Sequence, residues 1–237
     1  MRDTGLTSAA GSTVGASPRA AGVTGVLFAV LFSTSVIILK LSVSDVNSDD
    51  GGQWLADKAG WVAFAIGLMP FAGIFFLWFI GVVRARLGRR EDQFFSAAIL
   101  GSGLLFLAMV FVGAGVAGAM VTSYSRDPSG FPGSSAYWLA RDVVTQIFSV
   151  YALRMAAVFL LAQATLWLRV QVMPRWISLL TYPVALLLLL VFTESFWVVL
   201  VFPAWVFLVS VYILVVRLRR PDVDHAATQT SLEGADG

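Results

Sequence analysis

The sequence has no cysteine and only one histidine, His225, which lies in a polar C-terminal tail. Without cysteine the chain can form no disulfide, no thiolate metal site and no cysteine nucleophile. With its one histidine in the tail, zinc-dependent and histidine-assisted serine mechanisms lack their usual groups. The motifs H-E-x-x-H and G-x-S-x-G and a phosphate-binding loop are also absent. The sequence therefore predicts no enzyme activity, no catalytic residue and no cofactor.

Charge is also scarce, because only 13% of the 237 residues are charged whereas 58% are hydrophobic. With a mean hydropathy of +0.83, the chain carries more apolar surface than one soluble core of this size could bury. We expect the partners to be the lipid bilayer, anionic headgroups and a membrane protein, and no nucleic acid. Fourteen of the 16 basic residues are arginines, a bias that favours a bacterial, GC-rich origin.

Long apolar runs define the predicted fold. About 20 apolar residues are needed for a helix to cross a hydrocarbon core of roughly 30 Å. The last apolar block, 177–216, is twice that length and is interrupted by Thr193, Glu194 and Ser195, so it predicts two spans. The sequence thus predicts an all-α, polytopic transmembrane helix bundle of six spans, at residues 22–41, 60–83, 94–121, 143–168, 177–192 and 196–216. The leader 1–21 and the basic, then disordered, tail 217–237 are predicted to be cytoplasmic.

The distribution of basic residues predicts the orientation. With six spans, one side of the membrane carries 11 of the 16 basic residues and the other carries three. The positive-inside rule then places both termini in the cytoplasm of a multi-pass cell-membrane protein. With five spans, the basic sequence RLRR at 217–220 would lie on the outer side of the membrane, so we reject that count. The first apolar run is longer than a signal-peptide core, which favours a retained anchor.

Four arginines follow the second predicted span within seven residues: Arg84, Arg86, Arg89 and Arg90. A juxtamembrane cluster of this kind attracts anionic lipid headgroups, by about 1 kcal/mol per residue near the surface. We therefore predict that these side chains contact anionic lipid.

Clustered oxygen ligands in the first outer loop raise the possibility of calcium, at Asp45, Asn47, Asp49 and Asp50. The spacing lacks the glycine and the terminal glutamate of an EF-hand. We therefore favour a solvated acidic loop and predict no metal site.

Arg154 is the residue that most needs an explanation. It lies in the fourth predicted span, about 16 Å from its outer end, with no acidic residue within eleven positions. An unpaired charge at this depth costs at least about 2.5 kcal/mol. Tyr151, one turn away, and Glu194, between the last two spans, are the candidate companions. Arg154 either pairs with Glu194 or a carbonyl and stabilises the bundle, or binds an anionic ligand in an outward-opening cavity.

Two packing patterns complete the interpretation. The third span contains GAGVAGAM at 113–120, and small residues four apart predict a tight helix crossing. Tyr137 and Trp138 are among the aromatic residues near span ends, where interfacial belts form.

The segments FLWFIGVVRARLGRREDQFFSAAILGSGLLFLAM, YALRMAAVFLL and VMPRWI lie within residues 60–177. They resemble a group of actinobacterial multi-spanning membrane proteins without an assigned function. The resemblance implies a six-helix bundle and transfers no catalytic residue. We expect a non-catalytic membrane module that binds a lipid or a partner, with a filled core. The alternative is a small transporter or export component for an anionic or amphipathic molecule, with a cavity around Arg154.

Overall fold

The computed structural model describes residues 18–42, 52, 54–85, 93–171, 173–190 and 196–218. In these ranges 92% of the residues are helical and none forms a strand, which confirms the predicted all-α class. The elements are α1 (Pro18–Ser42), α2 (Trp54–Ala85), α3 (Gln93–Arg126), α4 (Ser135–Gln146), a π-helical segment (Ile147–Ala152), α5 (Leu153–Val170), α6 (Arg175–Leu190), α7 (Phe196–Val199) and α8 (Val201–Leu218). Because α1 begins at Pro18, the last four residues of the predicted leader are helical. Proline is favoured in the first turn of a helix, because the backbone N–H groups of that turn have no carbonyl partner within the helix.

Five helical stretches are long and apolar enough to cross a membrane: Ala20–Ser42, Leu55–Arg84, Phe94–Arg126, Ser135–Val170 and Trp197–Val216. They support the assignment of the chain to the membrane proteins. The remaining apolar helix, α6, has 16 residues and is about 24 Å long, which is less than a typical hydrocarbon core. Residues 191 and 192 of the predicted fifth span lie outside the described ranges.

Side-chain contacts between consecutive helices define the two ends of the bundle. The Lys58 Nζ donates to the Leu41 carbonyl at 2.9 Å, so the end of α1 meets the start of α2. At the opposite end the Arg84 Nε donates to the Ser96 Oγ at 3.0 Å and joins α2 to the start of α3. We name these the Lys58 end and the Arg84 end.

Helices α1 and α8 are antiparallel and approach each other closely. A Cβ on Gly22 would lie 2.5 Å from the Leu214 Cγ and 3.1 Å from the Ser210 carbonyl oxygen. A Cβ on Gly25 would collide with the Ser210 Oγ and lie 2.9 Å from the Phe79 ring. The two glycines therefore permit this crossing. It also places the start of α1 and the end of α8 together at the Arg84 end.

Seven buried phenylalanines from five helices fill the centre of the bundle: Phe28, Phe32, Phe76, Phe79, Phe106, Phe159 and Phe202. Phe76 lies in the middle of this phenylalanine cluster. Its ring centroid is 4.6 Å from that of Phe28, 5.3 Å from Phe159, 5.4 Å from Phe106, 5.8 Å from Phe202 and 6.3 Å from Phe79. These separations lie in the range over which aromatic rings attract one another. The phenylalanine rings therefore fill the bundle core around Phe76.

The small residues of α3 pack tightly on one face only. A Cβ on Gly113 would lie 2.7 Å from the Phe148 ring, and Ala117 on the same face is buried. At Gly115 and Gly118 a Cβ would have nothing within 4 Å. At 3.6 residues per turn, the run 113–120 covers all sides of the helix, so only part of it can face a neighbour.

Candidate functional site

Arg154 lies near the middle of a continuous 36-residue helix, Ser135–Val170, directly after the π-helical segment. Its side chain is half-buried, and its Nη1 donates to the Val150 carbonyl at 2.9 Å. Val150 belongs to the π-helical segment, and its carbonyl also accepts the Leu153 N–H. The guanidinium therefore adds a second hydrogen bond to a carbonyl that is already paired, and it reaches back toward the Lys58 end as a helical side chain should.

Tyr151, the predicted companion of Arg154 within the described residues, has 56% of its surface exposed. Glu194 lies outside the described residues, so the Arg154–Glu194 pair stays a prediction.

The predicted headgroup arginines are described only in part. Arg84 is half-buried and bonds to Ser96, which ties it to the α2–α3 connection. Arg86, Arg89 and Arg90 lie outside the described residues, as does the acidic loop 43–50. Within the described ranges no group of three or more metal-binding side chains occurs.

The structure contains a cavity at the Lys58 end that the sequence did not predict. It lies between α1, α2, α3, α4 and the π-helical segment, and its volume is about 70 Å³. Ligand pockets typically measure about 300–1,000 Å³, so this cavity has room for a few water molecules and not for a larger ligand. Within the described part of the chain, its walls are leucine, valine, methionine, alanine, threonine and aromatic side chains together with the charged Arg141. We call it the Arg141 cavity.

One face of α4 and the π-helical segment supplies the wall that carries Arg141. Tyr137, Arg141, Thr145 and Phe148 follow one another at helical spacing and all line the cavity. The Ser134 Oγ caps α4 by accepting the Tyr137 N–H at 3.2 Å, which fixes where this face begins.

Two polar contacts involve the wall residues Trp54, Tyr137 and Arg141. The Trp54 Nε1 donates to the Tyr137 hydroxyl at 3.1 Å and joins α2 to α4. The guanidinium carbon of Arg141 lies 5.1 Å from the Trp138 ring centroid, within the range of a cation–π contact. Tyr137 and Trp138 thus position the cavity wall, in addition to any role at a membrane interface.

We expect Gly52→Ala to destabilise the protein more than Gly133→Ala. Both glycines have positive φ, +100° and +73°, so alanine costs about 1–2 kcal/mol of strain at either position. Only at Gly52 would the new Cβ also meet another group, 2.7 Å from the Tyr137 ring. Thermal unfolding in detergent, followed by intrinsic fluorescence, measures the difference. Equal losses would show that Tyr137 does not press on Gly52.

The fold and the cavity define the class of protein: an all-α membrane protein with an apolar, arginine-bearing cavity at one end of its bundle. No family model, curated protein or solved structure matches the chain. The likeness to actinobacterial membrane proteins thus stays an expectation.

Proposed function

We propose that the chain is a six-span integral membrane module that binds a lipid or a partner protein without catalysing a reaction. The start of α1 and the end of α8 share the Arg84 end, which an even number of crossings requires. The short helix α6 runs beside α5, where the Tyr182 hydroxyl and the Thr165 Oγ1 are 2.9 Å apart. A bilayer adapts to a short span by thinning locally at modest cost, so α6 can serve as the fifth crossing.

The Arg84 end is the cytoplasmic end in this proposal, because the sequence assigns 11 of the 16 basic residues to the side of the membrane on which Arg84 lies. Arg84 and the arginines that follow it then meet the anionic headgroups of the inner leaflet. The Arg141 cavity opens at the opposite, outer end.

The observation that carries the proposal is the phenylalanine cluster. Its seven rings fill the bundle below the cavity, so a solute could pass along the bundle axis only by displacing them. This supports a binding role over the alternative of a small transporter or export component. The bond from Arg154 to the Val150 carbonyl also supports a structural role for that arginine.

Native mass spectrometry of the wild type and of Arg154→Leu tests this function. We expect the wild type to retain a non-covalent lipid or protein mass after mild extraction. We expect Arg154→Leu to retain the same mass and to unfold more easily, by about 1 kcal/mol, since one hydrogen bond to the half-buried Val150 carbonyl is lost.

Two results would contradict these expectations. A wild type that carries neither lipid nor protein would count against the binding function. A folded Arg154→Leu variant that loses the mass would assign the ligand to Arg154 and contradict its structural role.

A further inference from the structure

We infer that Gln163 of α5 and Trp205 of α8 together bind a buried water molecule between these two helices. The water site lies next to the phenylalanine cluster, on the side of the Arg84 end. It is separate from the lipid or partner binding proposed above, so neither proposal depends on the other.

The two side chains are buried hydrogen-bond donors without an acceptor. The Gln163 Nε2 and the Trp205 Nε1 donate to no group within the described ranges. Only 2% of the surface of Gln163 and 8% of that of Trp205 are exposed. An unpaired buried N–H destabilises a protein, and nearly all such groups in native proteins bond to protein or to ordered water. Both donors therefore require an acceptor inside the bundle.

A ring contact shows that the two donors lie on facing sides of α5 and α8. The ring centroids of Phe159 and Phe202 are 6.1 Å apart. Gln163 follows Phe159 by four residues and Trp205 follows Phe202 by three, and residues at these spacings share one face of a helix. Gln163 and Trp205 thus belong to the two faces that meet at the ring contact.

The two donors also lie at the same depth in the bundle. The guanidinium carbon of Arg169 is 4.6 Å from the Phe95 ring centroid, so α5 ends at the Arg84 end, as α8 does. Because the two helices are parallel, Gln163 lies about 6 Å and Trp205 about 4.5 Å beyond the ring contact. Their depths therefore agree to within about 2 Å.

The chemistry of the two groups selects water as the acceptor. Two N–H groups cannot bond to each other, whereas a water oxygen accepts two hydrogen bonds and bridges them. The α5 backbone packs on α3 and α6, and the α8 backbone packs mainly on α1, so side chains span the space between α5 and α8. A neutral acceptor is favoured, because neither the amide nor the indole carries a charge that would offset a buried anion.

Nuclear magnetic resonance of the full-length protein with ¹⁵N-labelled tryptophan tests the water site, in micelles of deuterated detergent. The indole resonance that is absent from Trp205→Phe identifies Trp205. We expect its N–H to give a cross-peak to water whose sign differs between nuclear Overhauser and rotating-frame spectra, which excludes chemical exchange. Gln163→Met keeps the length of the side chain but removes its N–H groups, so it should lose this cross-peak.

Ser210→Ala is the matched control for Gln163→Met. It also removes a buried, unpaired polar atom, and it does so in the same helix as Trp205. The Ser210 Oγ lies against Gly25 of α1, however, and not between α5 and α8. The Trp205 cross-peak to water should therefore persist in Ser210→Ala.

A wild type without a water cross-peak from Trp205 would overturn the inference, and this readout does not depend on the folding of Gln163→Met. A cross-peak that survives Gln163→Met, or that Ser210→Ala abolishes as well, would also contradict the two-donor site.

A double-mutant cycle of unfolding with Gln163→Met and Trp205→Phe provides a second measurement. Each single variant leaves one donor unpaired, whereas the double variant leaves none, so we expect it to lose less stability than the sum of the two single losses. Additive losses would show that the two side chains do not share one water molecule.

Discussion

Phe76→Ala is expected to lower the free energy of unfolding by about 3 kcal/mol, a typical cost of truncating a buried phenylalanine. Phe76 contacts five other rings of the phenylalanine cluster, and it is completely buried. In a membrane the ring is transferred from lipid into the bundle, so the loss comes from packing and from the cavity left behind. Denaturation in mixed detergent micelles, followed by circular dichroism, measures it.

Phe71→Ala is the matched control for Phe76→Ala, because Phe71 belongs to the same helix but has 59% of its surface exposed. We expect it to change stability by no more than about 0.5 kcal/mol. If both variants lose the same stability, the cluster contributes no more than an ordinary surface contact. The argument that it closes the bundle to a passing solute would then lose its support.

Gly25→Leu is expected to cost about 3 kcal/mol or to prevent α8 from docking on α1. Its Cβ would collide with the Ser210 Oγ and lie 2.9 Å from the Phe79 ring, and the rest of the leucine side chain has no space between the helices. Overpacking of a filled core typically costs about 1–3 kcal/mol, and a helix crossing has less freedom to relax than a side chain. The same denaturation assay measures the loss.

Gly67→Leu provides the comparison for Gly25→Leu. It makes the same chemical change in α2, at a position where a Cβ would have nothing within 4 Å. We expect unfolding close to that of the wild type, with any gain arising from the better helix propensity of leucine. A loss as large as that of Gly25→Leu would mean that leucine harms these helices wherever it is placed, and not through the α1–α8 contact.

The helices were predictable because the length and apolarity of a run are local properties of the sequence. The close crossing of α1 and α8 was not predictable, because these two helices are distant in the chain. Gly22 and Gly25 resemble the glycines of many membrane helices, and only Ser210 and Leu214 on α8 make them essential. The run GAGVAGAM carried the stronger pattern, yet Gly115 faces open space.

Prediction of the candidate site from the sequence was limited in the same way. Arg154 was identifiable from sequence as a charge in an apolar run, but no local pattern indicated the π-helical segment that contains its bond partner Val150. The helical spacing of Tyr137, Arg141 and Phe148 was visible in the sequence. Because the fourth span was predicted to begin at 143, the first two residues were assigned to its outer border. The space between α1, α2, α3 and α4 is a property of tertiary packing.

The π-helical segment Ile147–Ala152 also sets the register between the two halves of the long helix. Upstream, α4 packs on α3 and lines the Arg141 cavity, whereas downstream α5 packs on both α3 and α6. A π turn corresponds to one extra residue in an α-helix, and each residue rotates the helix by about 100°. Removing one residue here would restore regular hydrogen bonding but turn α5 away from α6. The length of this segment is therefore constrained, so deleting one residue should disturb the packing of α5 more than replacing an exposed residue such as Tyr151.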